Sequence, residues 1–440
     1  MDQGLASREI SELAARLWNP SPSAEEEIPV WLDCDTGHDD AFAILLLAQC
    51  PRFKLLGIST VHGNSSLENT TRNSLSVLEA IGRRDIPVYP GAAKPFCREV
   101  AHAESIHGES GLDGTTVLPT PKATACSHPN GAIGAIHAAL TAYPGKAWLI
   151  STGALTNIGL LFAVYPDLAE SIAGLSIMGG AIGGFFSHAP CGRLSERLEL
   201  ARTLHKEFPG GLPDDSNMTI PEVAKHFKEL GILKPPDDMD DERVHFLLDQ
   251  ARSSFGNWSP YAEFNIYCDP EAASAVFQNP ILAPKTTLIP LDLTHQVLAN
   301  EEVVKLLQYG SKEPSSKQDV TMVRKLFNEI LTYFASTYAN EFNMCSGPPL
   351  HDPLTAAIIL APEIFHDGDG ERFSVHVVTA GDENLTGGPR HNGRDIGQCG
   401  RTICHMLPKG SKGIRIPRTL DVNVFWHLLN KSLERAEGEA

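Results

Sequence analysis

Short apolar runs alternate with longer helical stretches along most of the chain. The runs predict strands at Ile28–Leu32, Leu55–Val61, Ala147–Ser151, Leu175–Met178 and Thr287–Leu291. The stretches between them predict helices at Ala41–Gln49, at Leu67–Ile81 and from about Asn157. This alternation predicts an α/β fold, a mostly parallel open sheet covered by helices in a Rossmann-like arrangement. In such sheets, ligand-binding residues gather at the carboxyl ends of the strands.

Two parts of the chain depart from this alternation. Residues 1–27 form a tail that contains one short amphipathic helix, Ser7–Trp18. Residues 28–440 form the main domain, interrupted at about 185–255 by a segment without strand signals. That segment predicts helices at Ser195–Phe208 and Thr219–Leu230, so we interpret it as a helical insertion. Near the end, the pattern predicts strands at Phe373–Thr379 and Thr402–Met406 and a helix at Val422–Arg435.

Charge and composition narrow the class of protein. The 440 residues carry a formal net charge of −18, and 42% of them are hydrophobic. A chain this acidic repels phosphate-coated partners, so neither nucleic acid nor an anionic membrane is an expected partner. A neutral small molecule remains fully compatible with this charge.

Cysteine usage and hydropathy indicate the compartment. The nine cysteines are widely spread and form no C-x-x-C pair, which predicts buried, reduced thiols rather than disulfides or a zinc site. The longest apolar run, Ala41–Ala48, is too short to span a bilayer, and the amino terminus lacks an apolar signal core. We therefore expect a cytoplasmic protein.

An acidic run follows the first predicted strand directly. Asp33, Asp35, Asp39 and Asp40 crowd four carboxylates around the turn-forming Gly37. Carboxylates this close repel each other unless a cation lies among them, and oxygen ligands favour Ca²⁺ or Mg²⁺ over zinc. The structural alternative is a solvated acidic turn in which Asp39 caps the following helix. We favour a metal site, because the run lies where a parallel sheet places its ligands.

Several other polar segments each have a plain structural interpretation. Asp352 and Asp269 both precede a proline and suit the N-cap of a helix. Glu263 and Thr152 could belong to simple turns, and His107 lies in a glycine-rich loop. None of these segments decides a function by itself.

Their order along the chain is more informative. It resembles the inosine-uridine-preferring nucleoside hydrolases in nine collinear motifs. These are Asp33-x-Asp35-x-Gly37-x-Asp39-Asp40, Val61-His62-Gly63-Asn64, Ile106-His107-Gly108-Glu109, Thr152-Gly153-Ala154-Leu155, Met178-Gly179-Gly180, Ala262-Glu263-Phe264-Asn265, Asp269-Pro270-Glu271, Leu291-Asp292-Leu293-Thr294-His295 and His351-Asp352-Pro353. Thr36 stands where the family usually has proline, and the spacing from Gly180 to Glu263 is longer than usual.

The resemblance implies a role for each of these positions. It implies Ca²⁺ bound by Asp35, Asp40, Asp352 and the carbonyl oxygen of Thr152. The substrate-binding set would be Asp39, Asn64 and Asn265 at the ribose hydroxyls, Asn257 and Glu263 at the 5′ end, and Met178 along the sugar. The implied catalytic set is Asp35 as the base that activates a calcium-bound water, with His351 as the acid for the departing nucleobase and His107 assisting. Asp33 would support these residues from behind.

The activity so implied is hydrolysis of the N-glycosidic bond of ribonucleosides such as inosine and uridine, in a homodimer or homotetramer. Two alternatives remain. One is a phosphatase that uses Asp33 as nucleophile, and the other is a nucleoside-binding protein without turnover. The sequence leaves open the choice between purine and pyrimidine bases and the choice between His351 and His107 as acid.

Overall fold

The structure of the chain is a computed structural model that describes residues 7–19, 21–23, 25–183, 186–187, 189, 255–259, 261–310, 320–342, 344–379 and 398–439. The predicted helical insertion lies almost entirely outside the described residues. The predicted amino-terminal helix is present at the expected bounds, Ser7–Trp18.

A six-stranded parallel sheet forms the centre of the fold. Its strands are β1 Ile28–Cys34, β2 Phe53–Thr60, β3 Val88–Pro90, β4 Trp148–Ser151, β5 Gly174–Met178 and β6 Thr286–Ile289. They lie in the order β3-β2-β1-β4-β5-β6. All five neighbouring pairs are parallel, which confirms the predicted open parallel sheet. Four short strands form two small antiparallel pairs, at β7 Phe365–His366, β8 Phe373–Val377, β9 Thr402–Met406 and β10 Thr419–Leu420.

Helices cover both faces of this sheet. The described α-helices after α1 are α2 His38–Gln49, α3 Leu67–Ala80, α4 Glu104–His107, α5 Gly131–Thr141, α6 Thr156–Val164, α7 Leu168–Ser171, α8 Phe264–Cys268, α9 Pro270–Phe277, α10 Leu291–Thr294, α11 Glu301–Tyr309, α12 Met322–Phe342, α13 Pro353–Leu360 and α14 Val422–Glu439. One apolar core joins the sheet to α2, α3, α12, α13 and α14, and a second joins it to α5, α6 and α9. Among the described helices, none has both the length and the apolar character that crossing a bilayer requires.

The apolar pattern predicts strands better than it predicts the starts of helices. The five sheet strands predicted from apolar runs are all present, and β9 has the predicted bounds. Helix α2 begins at His38 after Gly37, three residues earlier than predicted. Its N-cap is therefore Gly37, and the structural alternative in which Asp39 caps this helix is wrong. Asp269 does cap α9, because its Oδ1 accepts a hydrogen bond from the Ala272 N–H at 3.0 Å.

The strand order places the polar motifs together. The chain runs from β1 outward to β3 and then returns to β4 on the other side of β1, so β1 and β4 flank a topological switch point. Crevices at the carboxyl ends of such strands are where open α/β sheets bind ligands. The acidic run follows β1 at this edge, and Thr152 follows β4. Cys34, Cys50 and Cys268 are free, buried thiols, as predicted, whereas Cys97 is exposed.

Candidate active site

A pocket opens at this edge of the sheet. Ten of the twelve residues that the sequence analysis selects for catalysis, substrate or metal line it: Asp39, Asn64, His107, Thr152, Met178, Asn257, Glu263, Asn265, His351 and Asp352. Of the selected residues, only Asp35 and Asp40 are not in the lining, and both contact residues that are.

Asp35 is held by backbone that approaches it closely. Its Oδ2 accepts a hydrogen bond from the Asn64 N–H at 2.7 Å. A Cβ at Gly63 would overlap this oxygen, and a Cβ at Gly153 would lie 2.8 Å from Oδ1. Oδ1 is buried and has no hydrogen-bond partner. Asp35 therefore has one oxygen fixed and one available to a cation or a water molecule.

Asp39, Asp40 and Asp352 form the densest carboxylate cluster at the site. One oxygen from each lies within 4.8 Å of the others, and all three residues are buried. Asp40 is oriented by three donors, the Gly37 N–H at 2.8 Å, the Thr152 hydroxyl at 2.8 Å and the Asn64 side-chain amide at 3.2 Å.

Asp352 precedes α13, but its side chain makes no capping hydrogen bond. Asp352 therefore has the predicted N-cap position, but its carboxylate lies in the cluster with Asp39 and Asp40 and does not cap the helix.

Burial and mutual repulsion make these carboxylates hard to ionise without a counter-charge. Burial, followed by the charge of Asp40, raises the pKa of Asp39 to about 7 and raises the pKa of Asp35 well above its usual range. Burial, followed by the charges of Asp39 and Asp40, raises the pKa of Asp352 in the same way. A divalent cation among them would supply the counter-charge that favours the ionised carboxylates against both burial and repulsion.

The donors at this site fit a hard divalent cation. They are carboxylate oxygens, with the Thr152 carbonyl oxygen nearby, and such all-oxygen sets favour Ca²⁺ or Mg²⁺. That carbonyl already accepts a hydrogen bond from the Asn265 side-chain amide at 2.8 Å, and its second lone pair can still serve a cation. The family resemblance places Asp39 at the ribose. In the structure its carboxylate belongs to the close cluster with Asp40 and Asp352. The ligand set of Asp35, Asp40, Thr152 and Asp352 remains a prediction.

Asn265 and Glu263 occupy the part of the pocket beside β4 and β5. The Asn265 amide donates to the carbonyl oxygen of Thr152 and contacts the sulfur of Met178 at 3.3 Å. Glu263 caps α8 by accepting from the Asn265 and Ile266 N–H groups, and it also accepts from the Gly180 N–H at 2.8 Å. Glu263 is thus more than a turn residue, because it ties α8 to the end of β5.

His351 is held at both ring nitrogens. Its Nε2 lies 2.7 Å from the hydroxyl of Tyr338, and its Nδ1 lies 2.7 Å from the hydroxyl of Thr294. Burial lowers the pKa of His351 well below its usual range. Tyr338 also lines the pocket. A hydroxyl–imidazole–hydroxyl chain of this kind can pass a proton, because each member both donates and accepts.

His107 is buried at 5% exposure and makes a ring contact with a second histidine. Its Nδ1 lies 3.1 Å from Nδ1 of His38. Burial, followed by the charges of His38 and His351, lowers the pKa of His107 well below its usual range. Both predicted histidines therefore lie at the pocket in environments that favour the neutral ring.

The sequence analysis missed the aromatic residues of the pocket. Phe334, Tyr338 and Phe342 lie four residues apart on α12, so that one face of this helix lines the pocket. This spacing is the signal that could have found them. Trp258 and Phe264 add further aromatic surface, with ring centroids 4.8 Å apart.

Asp33 lies behind the site rather than in it. Its Oδ1 accepts hydrogen bonds from the Ser59 hydroxyl and from the Asn157 amide, the latter at 2.8 Å. It is fully buried and absent from the pocket lining. This placement fits the expected supporting role and does not suit a nucleophile, so it opposes the phosphatase alternative.

Comparison with known proteins agrees with this geometry. Residues 30–427 match the family model described as inosine-uridine preferring nucleoside hydrolase. The chain belongs to this family, and the protein is therefore a nucleoside hydrolase enzyme.

Individual relatives support the same assignment. The chain is 35% identical to the uridine nucleosidase of Saccharomyces cerevisiae, with 93% of this chain and 97% of that protein covered. It is 31% identical to the pyrimidine-specific ribonucleoside hydrolase RihA of Citrobacter koseri, with 77% and 81% covered. A solved purine-preferring ribonucleoside hydrolase from Gardnerella vaginalis has the same fold, with a TM-score of 0.64 at 20% identity over 93% of this chain and 99% of that one.

Proposed function

We propose that this enzyme hydrolyses the N-glycosidic bond of ribonucleosides of the inosine and uridine type, releasing a free nucleobase and ribose. The observation that carries the proposal is that a single pocket holds two kinds of chemistry. Asp39 and Asp352 bring carboxylates to it, and Tyr338 and His351 bring a proton-transfer chain. Cleavage of an N-glycosidic bond needs both, because positive charge builds on the sugar while negative charge builds on the departing base.

Asp35 is proposed as the general base. The free Oδ1 is suited to take a proton from the attacking water, while the Asn64 N–H holds Oδ2 in place. Asp35, Asp40, Asp352 and the Thr152 carbonyl are proposed to hold Ca²⁺. When bound, this ion supplies acidification of a water molecule and the counter-charge that keeps the carboxylates ionised.

Orientation of the sugar is assigned to the neighbouring polar groups. Asp39, Asn64 and Asn265 are proposed to bind the ribose hydroxyls. Asn257 and Glu263 would bind its 5′ end, and Met178 would pack against the ring. Much of the rate gain from such a set comes from fixing the reacting atoms in one geometry.

The acid is proposed to act through Tyr338. Both nitrogens of His351 have protein partners, so a proton reaches the base most directly from the Tyr338 hydroxyl, which His351 orients and which regains a proton from solvent after the base has left. Tyr338 thus adds a third residue to the two histidines that the sequence selects.

A panel of nucleosides tests the proposal directly. Purified protein supplied with Ca²⁺ is mixed with inosine, uridine, cytidine and adenosine, and free base and ribose are quantified by chromatography. Stoichiometric release of base and ribose from at least one of them is expected. Binding without release would favour the nucleoside-binding alternative, and neither binding nor release would reject the proposed substrate class.

Location and assembly are proposed by analogy and from composition. Widely spread cysteines without a C-x-x-C pair suit a reducing cytoplasm. A homodimer or homotetramer is the assembly that the family resemblance implies. Light scattering of the purified protein measures that assembly.

A further inference from the structure

Two buried polar side chains of α3, Asn73 and Ser74, have no assigned role. They are 2% and 0% exposed. Buried polar groups in folded proteins are normally paired, so the partners of these two side chains indicate what the helix holds. Those partners include atoms of two segments of the site. One is the aspartate turn, residues 35–38, and the other is the His107 loop, residues 107–113.

Both side chains hold Thr36, the residue that follows Asp35. The Ser74 hydroxyl donates to the carbonyl oxygen of Thr70 at 3.0 Å, so it accepts in its 2.6 Å contact with the Thr36 hydroxyl. The side-chain amide of Asn73 donates to the carbonyl oxygen of Thr36 at 3.2 Å. Thr36, which stands where the family usually has proline, is therefore tied to α3 by its side chain and by its backbone.

Asn73 reaches the His107 loop as well. Its amide nitrogen donates to the carbonyl oxygen of Ser110 at 2.9 Å. Both partners of this nitrogen are carbonyl oxygens, which only accept, so the orientation of the amide is fixed. Gly111 has a φ of +81°, and a Cβ there would lie 2.8 Å from the Cβ of Ser65. The loop backbone therefore lies directly against the residues around the start of α3.

The polar neighbours of Asn73 each hold one segment in the described contacts. Ser65 and Asn69 donate to the carbonyl oxygen of Glu109, at 3.1 and 3.3 Å, and so hold the loop. Asn73 adds a contact to the turn. The loop has a further link, because Nε2 of His38 lies 2.9 Å from the carbonyl oxygen of Asp113. Loss of Asn73 would therefore loosen the loop without releasing it.

We propose that Asn73 is a positioning residue that sets the spacing between the aspartate turn and the His107 loop. It thereby sets the spacing between the general base and the contacts to the departing nucleobase. The proposal rests on the proposed function, because it takes Asp35 as the base and His107 as a residue at the nucleobase. A misplacement of about 1 Å at such a site can lower the rate about 100-fold.

Two substrates separate the two contacts of Asn73. A nucleoside needs both an activated water and help for its leaving base, whereas p-nitrophenyl riboside needs only the water, because its phenolate departs unprotonated. Asn73→Ala should lower kcat/KM about 30- to 100-fold for inosine or uridine and about 3- to 10-fold for p-nitrophenyl riboside. Equal losses on both substrates would overturn the hold on the loop. An unchanged kcat/KM for p-nitrophenyl riboside would overturn the hold on the turn.

Variants of the neighbouring residues test each contact singly. Ser74→Ala loosens the turn and should lower kcat/KM about threefold for both substrates. Asn69→Ala loosens the loop and should lower kcat/KM for the nucleoside alone. The reverse pattern would overturn the proposal. The matched control is Asn430→Ala, a buried asparagine on α14 whose contacts to Arg324 and Glu434 lie outside the pocket lining. It should lower the free energy of unfolding and leave both kcat/KM values unchanged.

Hydrogen exchange measured by mass spectrometry gives a readout independent of turnover. In Asn73→Ala, peptides that cover residues 35–38 and residues 107–113 should both exchange about tenfold faster than in the wild type. Unchanged exchange in either peptide would overturn the link. If Asn73→Ala failed to fold, Asn73→Ser, which keeps one donor, would be measured in the same way. If the wild type hydrolysed no nucleoside, the proposed function would fail, and the exchange rates would still decide whether Asn73 joins the two segments.

Discussion

Asp35 owes its position to peptide groups rather than to another charged side chain. The Asn64 N–H holds one oxygen, and glycines at positions 63 and 153 leave room for the carboxylate. We expect Asp35→Asn to lower kcat about 10²- to 10⁴-fold, because an amide cannot take a proton from water. The rate of base release at saturating nucleoside and Ca²⁺ measures this loss.

A second aspartate provides the control for that variant. Asp269 is also buried, but it caps α9 and accepts from the Thr156 hydroxyl and the Phe96 N–H. Asp269→Asn should cost about 1–2 kcal/mol of unfolding free energy and leave kcat nearly unchanged. An inactive Asp269→Asn beside an active Asp35→Asn would reverse the two assignments.

The Tyr338 hydroxyl is expected to matter only when the leaving group needs a proton. Tyr338→Phe should lower kcat/KM for inosine or uridine about 100-fold or more. It should lower kcat/KM for p-nitrophenyl riboside less than about tenfold, because the phenolate departs without protonation. His351→Ala should show the same contrast. Equal losses on both substrates would mean that these side chains act through folding or through the neighbouring Asp352.

Among single residues, the sequence predicts as site residues those that lie in dense polar motifs. Asp35, Asp39 and Asp40 stand out because carboxylates rarely crowd after an apolar strand. Tyr338 does not stand out, because an aromatic residue in a helix packs in a core far more often than it meets a substrate. Its proposed role depends on its contact with His351, and on the contact of His351 with Thr294, and these contacts exist only in the folded chain.

The loop after β2 holds in place the two aspartates, Asp35 and Asp40, that follow β1. The Asn64 side chain reaches Asp40 at 3.2 Å while its N–H reaches Asp35 at 2.7 Å, and Gly63 lies against Asp35. We expect Gly63→Ala to lower kcat/KM at least about 100-fold, because the added methyl group displaces the carboxylate, and shifts near 1 Å cost this much. Activity assays together with denaturant unfolding measure the effect.

Gly438→Ala is the matched substitution. Its added methyl group meets nothing within 4 Å, so activity should be unchanged. Full activity of Gly63→Ala would contradict the role of this loop in positioning Asp35.

Among the strands and helices, those with the longest buried apolar runs were the ones that the sequence predicted. The central strands are mostly apolar, and β1 has six buried residues in succession, so their runs are visible in the sequence. Strand β3 has only one buried residue, Val88, and includes Pro90, so no run marks it. Helix α12 mixes buried aromatic positions with exposed polar ones, and its pattern did not lead to a prediction. The start of α2 at His38 was not predicted because its N-cap, Gly37, has no side chain that marks the start of a helix.

For the whole molecule, the buried carboxylates predict that a divalent cation supports both stability and activity. Exhaustive chelation should abolish base release, and Ca²⁺ should restore it better than Zn²⁺. Calcium at 100 times its Kd should add about 2.7 kcal/mol to the unfolding free energy. Assays and thermal melts with and without chelator measure both effects.

Full activity in protein shown by elemental analysis to be free of metal would contradict this expectation. A melt that shifts without a change in activity would instead assign the cation a purely structural role.

The position of β1 in the sheet has a consequence for biosynthesis. This strand leaves the ribosome early, yet β4, its neighbour on one side, follows only after β2, β3 and α5. The carboxylate cluster of Asp39 and Asp40 is completed later still, because Asp352 directly precedes α13. The nascent chain therefore carries an apolar strand with one open edge until β4 is synthesised, and an incomplete carboxylate cluster until Asp352 is synthesised, and an open strand edge is prone to aggregation. A cation that needs all three carboxylates would then bind only after the segment with Asp352 has packed against the segment with Asp39 and Asp40.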